Sequence, residues 1–295
     1  MKTTAGEKIF YTTNYMFLAL FALGCLYPFI YIIATSFSSS RAISSGEVFL
    51  WPVEFNMEAY KQLLLDGQIF NSMKNTVILT VVGTALSMSA TIICAYPLSK
   101  KRLRFRGIFM GLIVFTMLFS GGMIPGFLLI RNLGLMDSYW ALWLSGLIGT
   151  YNMIVLRAFF QNIPDSLEEA AQIDGAGDLY ILIRIVLPLS GAALATITLF
   201  YAVGWWNTYF NAMMYISSSM KSPLMVRLKI MLDTAQMLSV QAQSGRGGGT
   251  IEARMIAAES FKAASIFVSV LPIILVYPFL QRFFVKGVMI GSVKG

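Results

Sequence analysis

The chain has no histidine, only two cysteines and few charged residues, and each shortage excludes a class of function. Without histidine, it lacks the commonest general base and the residue that usually activates a serine or cysteine nucleophile. Cys25 and Cys94 both lie in apolar runs, so we predict neither a structural disulfide nor a metal site. No G-x-x-x-x-G-K-[ST] motif is present, and the glycine-rich stretch 247–250 lacks the lysine that this motif requires. The chain therefore has no ATP-binding motif of its own.

Apolar sequence is abundant instead: 57% of the residues are hydrophobic, 12% are charged, and the mean hydropathy is +0.71. A soluble domain averages about 25% charged residues, so this much apolar surface cannot be buried in one soluble core. The positive residues behind the net charge of +8 flank the apolar runs, which predicts a membrane protein and no nucleic-acid binding. The first apolar run continues past Cys25 and is too long for a signal peptide, so we predict an uncleaved membrane span.

Six stretches reach the roughly 20 apolar residues that a transmembrane helix needs. They are residues 14–36, 75–98, 107–130, 139–160, 185–206 and 264–284, and the glycines and proline of the third predict a kink. The sequence thus predicts an all-α polytopic membrane protein with six transmembrane helices. Its parts are an N-terminal segment (1–13), a six-helix domain (14–284) that includes a long external loop (207–263), and a C-terminal tail (285–295).

The orientation of the spans follows from the second connector, residues 100–106, which we name the basic connector. It carries five positive charges in seven residues and is expected in the cytoplasm, where it orients the protein. Both termini and the fourth connector then face the cytoplasm. The long fifth connector contains six lysines and arginines and argues the other way, but the positive-inside rule weakens for long loops.

The interiors of the six predicted spans contain essentially no acidic or basic residue. Proton- or ion-coupled carriers usually keep such groups in the membrane as relays or counter-ions. This shortage argues against a stand-alone secondary carrier or a lipid-linked sugar flippase, which is the second choice among the possible function classes, after a permease driven by a partner protein. A membrane enzyme is a distant third. If the protein moves a solute uphill, the energy must come from a partner.

The fourth connector contains residues 165–188, which we name the coupling segment. Ser166 with Glu169, or Asp165 with Glu168, predicts a capping box at a helix start. Gly175 is suited to the left-handed residue that ends this helix, and Gly177 permits a second start. From the residues alone, the segment is equally an ordinary interfacial helix or a docking site for another protein.

The spacing E-A-A-x3-G-x9-I-x-L-P, from Glu169 to Pro188, resembles the signature of the permeases of binding-protein-dependent ABC importers. The carbohydrate branch is resembled at Ile124–Pro125, residues 131–135, Trp206–Asn207 and residues 287–295, in particular the maltose-type second permease subunit and LplC/YtcP-like oligosaccharide permeases. The resemblance implies a type I ABC importer transmembrane domain whose coupling segment binds an ATPase. The implied coupling residues are Glu168, Glu169, Ala170, Ala171, Asp174, Gly175, Leu187 and Pro188, and the tail Gly291, Ser292, Val293, Lys294 and Gly295 is expected to touch the same partner.

The same resemblance implies a non-catalytic transport subunit in the cytoplasmic membrane and names its partners. They are a second permease that completes a heterodimer, two copies of an ATPase that binds ATP and Mg, and an extracellular solute-binding lipoprotein. The binding protein is expected to meet the loop tip Ser244, Gly245, Arg246, Gly247, Gly248 and Gly249, for which a plain flexible connector is the alternative.

A cluster of aromatic and amide residues lies at the outer end of the fifth predicted span and predicts a path along which sugars are contacted. Its members are Tyr201, Trp205, Trp206, Asn207, Tyr209 and Asn211. The alternative is an aromatic belt at the outer membrane boundary, which Trp51, Tyr139 and Trp140 would share. The expected substrates are complex oligosaccharides.

Overall fold

The computed structural model describes residues 4–65, 67–243, 259–275 and 278, and these residues form helices and loops without a β-strand. The helices are Ala5–Ser36 (α1), Ser40–Ser44 (α2), Glu58–Leu65 (α3), Gln68–Ser99 (α4), Arg106–Leu118 (α5), Met123–Asn132 (α6), Tyr139–Ser145 (α7), Thr150–Gln161 (α8), Asp165–Ile173 (α9), Asp178–Ile181 (α10), Leu187–Leu189 (α11), Gly191–Trp206 (α12), Phe210–Tyr215 (α13) and Leu224–Gln243 (α14), with a π-helical turn at Leu182–Val186 and a 3-10 turn at Ser219–Lys221. Residues 259–275 are also helical.

The described residues divide into two compact units, the first made of those within 4–69 and 228–271 and the second of those within 70–227 and 272–278. In the first unit, α1 begins with a capping box between Thr4 and Glu7. The apolar side chains of α1 are exposed from Ile9 to Tyr31, as expected for a helix whose surroundings are lipid.

The residues that follow α1 are held together by aromatic stacking and by hydrogen bonds of two serine hydroxyls. The Phe37 ring stacks on those of Phe55 and Tyr60, with centroid distances of 5.5 and 4.7 Å. The Ser36 hydroxyl lies 2.7 Å from the Tyr60 hydroxyl, and Ser38 accepts from the N–H of Val53 at 3.0 Å. These contacts satisfy backbone and side-chain polar groups where the long helix ends.

The second unit has a core of tightly packed side chains from α4, α7, α8, α10 and α12. Its most deeply buried members include Leu79, Leu142, Met153, Leu156, Phe160, Ile181 and Ile197. Where lipid surrounds a protein, the surroundings are as apolar as these side chains, so close packing rather than the hydrophobic effect holds such a core together. Because Ile181, Leu182 and Val186 belong to this core, the second half of the coupling segment is fixed to it.

Two helices within the described residues, Gly6–Ser36 and Gln68–Ser99, are each long and apolar enough to cross a bilayer. Three helix pairs pass the same test together but are sharply bent, which raises the number to five if each pair is one span. These pairs correspond to the predicted third, fourth and fifth spans. Of the predicted sixth span, only residues 264–275 and 278 are described, and the rest lies outside the described residues.

The bend in the third predicted span is 109°, between α5 and α6. The predicted kink is therefore present, and Gly122, with φ of +86°, explains its location because residues with a side chain rarely adopt this conformation. The bends in the other two pairs, 51° between α7 and α8 and 85° after Leu189, were not predicted. The second of these lies at Ser190, two residues beyond Pro188.

Candidate functional site

The coupling segment folds as two helical pieces with a turn between them, as the sequence predicts. The first piece, α9, begins at Asp165, with Pro164 in the capping position and no side-chain capping bond. The predicted capping box is therefore wrong: Ser166 lies inside the first helical turn, and Asp165 is the first helical residue instead of the cap. The acidic side chains of this turn still suit the positive end of the helix dipole.

The turn after α9 depends on Gly175, which has φ of +81° and lies in open space. Its predicted left-handed conformation is confirmed, and Asp174 is the residue that closes α9. Gly177 then precedes α10, which is the predicted second start. The π-helical turn at Leu182–Val186 follows, directly before Pro188, which cannot donate a backbone N–H to the preceding turn.

Helix α9 has one buried face and one free face. Glu168 is buried and Ala171 is half-buried against the core, three positions apart as expected for one side of a helix. The opposite face exposes Glu169, Ala170 and Ile173, and Ile173 is 87% exposed. Asp174, Gly175 and Pro188 are exposed as well, and Leu187 is half-buried. The segment therefore offers a small-residue surface with one large apolar side chain to another molecule.

The basic connector contacts the coupling segment, which the sequence did not predict. Lys100 forms an ion pair with Glu168, and Arg102 forms one with Asp178. The Lys100 and Glu168 side chains are 13% and 9% exposed, whereas those of Arg102 and Asp178 are 55% and 66% exposed. The opposite charges of the two connectors were the one signal in the sequence that could have suggested this pairing.

The aromatic residues at the end of α12 are buried and hold the bent helices in place. The Tyr201 hydroxyl lies 2.6 Å from that of Thr91 on α4 and accepts from the N–H of Gly149 at 2.8 Å. It thus satisfies a backbone group left free where α8 begins, as a broken membrane helix requires. The Trp205 indole donates to Ser87 at 3.2 Å.

Trp205 and Trp206 are both buried, so they do not belong to an exposed aromatic belt, and that interpretation is wrong for these two residues. Packing against neighbouring helices has removed them from the surface. Trp51 and Trp140 are exposed. The Trp206 indole N–H has no hydrogen-bond partner within the described part of the chain.

The remaining members of the predicted substrate path are three residues at and after the end of α12, none of which lines the apolar cavity found nearby in the chain. Asn207 and Asn211 are exposed, and Tyr209 is half-buried with its hydroxyl 3.1 Å from the sulfur of Met213. The cavity measures about 400 Å³ and is lined by Met123, Ile124, Phe127, Phe210, Met213 and Met214. A volume of this order can hold a small molecule, but its lining supplies no hydroxyl or amide group to a sugar.

A polar cluster, which we name the Asp137 latch, joins the loop before α7 to the chain after α13. Asp137 accepts from the N–H groups of Ser217 and Ser218, and from Lys221 at 2.9 Å. Tyr139 donates to the carbonyl oxygen of Lys221 at 3.0 Å. The Lys221 ammonium and the Ser218 N–H hold the pKa of Asp137 below its usual value.

Two groups of predicted site residues, the loop tip Ser244–Gly249 and the tail Gly291–Gly295, lie outside the described residues. Among the described residues, no group of three or more His, Cys, Asp and Glu side chains could hold a metal ion.

This arrangement, bent membrane helices with a two-piece helical segment between the fourth and fifth, defines a transport permease. The chain belongs to the family of binding-protein-dependent transport system inner membrane components, whose model matches residues 5–290. The resemblance stated from the sequence is thereby confirmed. The protein is the membrane subunit of an ABC importer and has the type I importer fold.

Several relatives match over nearly the whole chain. The polygalacturonan/rhamnogalacturonan transport system permease protein YtcP of Bacillus subtilis is 46% identical over 290 residues, which cover 98% of this chain and 99% of the relative. Protein LplC of Bacillus subtilis is 40% identical over 295 residues, covering 100% of this chain and 98% of the relative. A chain in the crystal structure of a bacterial ABC transporter involved in the import of the acidic polysaccharide alginate is 38% identical, with a TM-score of 0.84, and the match covers 96% of this chain and 99% of that chain.

Proposed function

We propose that this permease imports complex acidic oligosaccharides across the bacterial cytoplasmic membrane. Two similar proteins carry names that refer to uronic-acid polymers, polygalacturonan/rhamnogalacturonan and alginate. The family implies a second permease, an ATPase and a solute-binding protein. In our proposal the second permease makes a heterodimer, the ATPase is present in two copies that bind ATP and Mg, and both termini of this chain are cytoplasmic.

The coupling role is supported above all by the two faces of α9, one buried and one exposed. Its buried face is held through Glu168, while Glu169, Ala170 and Ile173 are free to enter a cleft of the ATPase. Alanine allows another backbone to approach closely, and an exposed isoleucine on a charged cytoplasmic surface favours contact with an apolar recess. ATP-driven closure of the two ATPase copies would then push on α9 and change the direction in which the permease pair opens.

The substrate path is proposed to run beside the cavity between α6 and α13. Tyr209 and Asn211 flank Phe210 of the cavity wall in the sequence, and together with Asn207 they supply a ring and two amides. Aromatic faces stack on sugar rings and amides bind hydroxyls. Because the cavity wall itself is apolar, groups that recognise the uronate charges would come from the second permease or the binding protein. We propose that the binding protein meets Ser244–Gly249, and that the tail Gly291–Gly295 contacts the ATPase.

The docking role is tested with Ile173→Asp, in the tagged protein purified from its own membrane in mild detergent. A charge on the apolar part of the docking surface should abolish the co-purifying ATP hydrolysis. The matched control is Leu133→Asp, which places the same charge on an exposed leucine at the end of α6 and should leave that hydrolysis unchanged. Parental hydrolysis with Ile173→Asp would show that α9 is not the docking site.

The substrate class is tested with the complete transporter in proteoliposomes. Labelled oligogalacturonides, presented with the solute-binding protein, should be imported in the presence of internal ATP and Mg. Labelled maltooligosaccharides of the same length are the neutral comparison and should not be imported. Import of the neutral sugar alone would exclude an acidic substrate.

A further inference from the structure

The C-terminal end of α4 is the point at which three helices are joined by polar contacts. Arg157 of α8 donates from Nε to the carbonyl oxygen of Leu98 at 2.9 Å. Lys100, the first residue after α4, lies with Nζ 4.7 Å from the centroid of the Tyr96 ring and donates to Glu168 of α9. Lys100 therefore ties α9 to the C-terminal end of α4.

The ion pair between Lys100 and Glu168 differs from its neighbour in burial. Both of its side chains are nearly removed from solvent, while Arg102 and Asp178 remain largely exposed. Water and salt readily replace the partners of an exposed pair, which is worth little. A buried pair cannot be separated without leaving an uncompensated charge, so its two residues must move together.

Helix α4 connects this point to the opposite end of the unit. It is continuous over 32 residues, which corresponds to a length of about 48 Å. On the way it contacts α12 through Thr91 and Ser87, and at its first turns Asn75 donates to the carbonyl oxygen of Met220 at 2.7 Å. Thr76 accepts from the N–H of Leu224 at 2.8 Å.

We propose that the Lys100–Glu168 ion pair is the connection through which α9 displaces α4, and that α4 carries this displacement along its length to residues 220–224. This inference rests on the proposed docking of α9 on the ATPase. It makes Lys100 a positioning residue for transport, although the sequence suggests only a role in orienting the protein.

The test follows the separation of α9 and α4 during the ATPase cycle. Cys25 and Cys94 are replaced by serine, and spin labels are attached to Gln172→Cys on α9 and Lys101→Cys beside the end of α4, both exposed positions. The distance between the labels is measured in the complete transporter, without nucleotide and with ATP, Mg and vanadate. In the parent protein we expect one narrow distance that is the same in both states.

Two changes of the Lys100–Glu168 pair are compared with one change of the exposed Arg102–Asp178 pair. The neutral double variant Lys100→Met with Glu168→Gln removes the connection without leaving a buried charge, so it should assemble normally while the label distance changes between the two states. The exchanged variant Lys100→Glu with Glu168→Lys restores an ion pair and should return the parental distances. The control variant Arg102→Met with Asp178→Asn should behave like the parent, because the exposed pair is not the connection.

Transport gives a second readout in the same variants. We expect the neutral double variant to import about fivefold to tenfold less oligogalacturonide per ATP hydrolysed, while the ATPase still co-purifies. Unchanged distances and unchanged import in the neutral double variant would overturn the inference, and so would an exchanged variant no better than the neutral one. Parental co-purification of the ATPase with Ile173→Asp would instead contradict the docking role of α9, independently of the ion pair.

Discussion

At the scale of single residues, the position of Trp205 shows how closely the helices of the second unit approach one another. A Cβ atom added to Gly83 on α4 would lie 2.8 Å from the Trp205 ring, and one added to Gly146 would lie 2.9 Å from it. Small residues at helix contacts are typical of membrane proteins, where packing must replace the hydrophobic effect. The indole therefore fills the space that two glycines leave free.

Gly83→Ala should destabilise the protein by about 1–3 kcal/mol, because a rigid ring surrounded by packed helices cannot move aside at low cost. The measurement is the temperature at which the detergent-solubilised protein loses its monodisperse elution peak. Gly204→Ala is the matched control, since nothing lies within 4 Å of a Cβ at this position of α12. Equal melting temperatures for the two variants would contradict the packing that we describe.

At the scale of the elements, the sequence predicted the existence of helices better than their path. The turn in the coupling segment was predictable because Gly175 and Gly177, the residues that allow it, lie within the turn itself. The kink after α5 was predictable from Gly122 in the same way. The bend at Gly146–Gly149 was not, because it depends on Trp205 and Tyr201, which lie 52 or more residues further along the chain. The Lys100–Glu168 pair was missed for the same reason: it joins residues 68 positions apart.

The Asp137 latch makes the joint between α7 and the chain after α13 depend on pH. Because Lys221 lowers the pKa of the folded carboxyl below its usual 3.8, the latch contributes fully to stability above that value. The contribution is lost as the pH falls through the lower, folded pKa. Asp137→Asn should therefore lower the melting temperature by the same amount at pH 7 and pH 5, and the difference should disappear only well below about pH 4.

Melting curves of the parent and of Asp137→Asn across this pH range provide the measurement. Asp233→Asn is the control, because Asp233 pairs with Lys229 four positions away within the same helix, α14. A parent-to-variant difference that already fades between pH 7 and pH 5 would show that another group controls the latch.

At the scale of the whole molecule, the composition and the contacts separate the apolar spans from the charged connectors. The chain has no ATP-binding motif and few charges, and its charged contacts are concentrated in the connectors. The connectors that carry the coupling segment and the basic stretch are joined to each other, and the Asp137 latch joins two others. If the proposed orientation is correct, these two sets of contacts lie on opposite sides of the membrane, and α4 runs between them.

This orientation predicts which exposed positions a membrane-impermeant thiol reagent reaches in intact cells. In a background with Cys25 and Cys94 replaced by serine, Met220→Cys should be labelled from outside, because residue 220 is exposed in the predicted external connector. Gln172→Cys is equally accessible in the fold but should be labelled only after the membrane is permeabilised. Labelling of Gln172→Cys in intact cells would place the coupling segment outside, where no ATP-hydrolysing partner could reach it, and both the orientation and the coupling role would have to be abandoned.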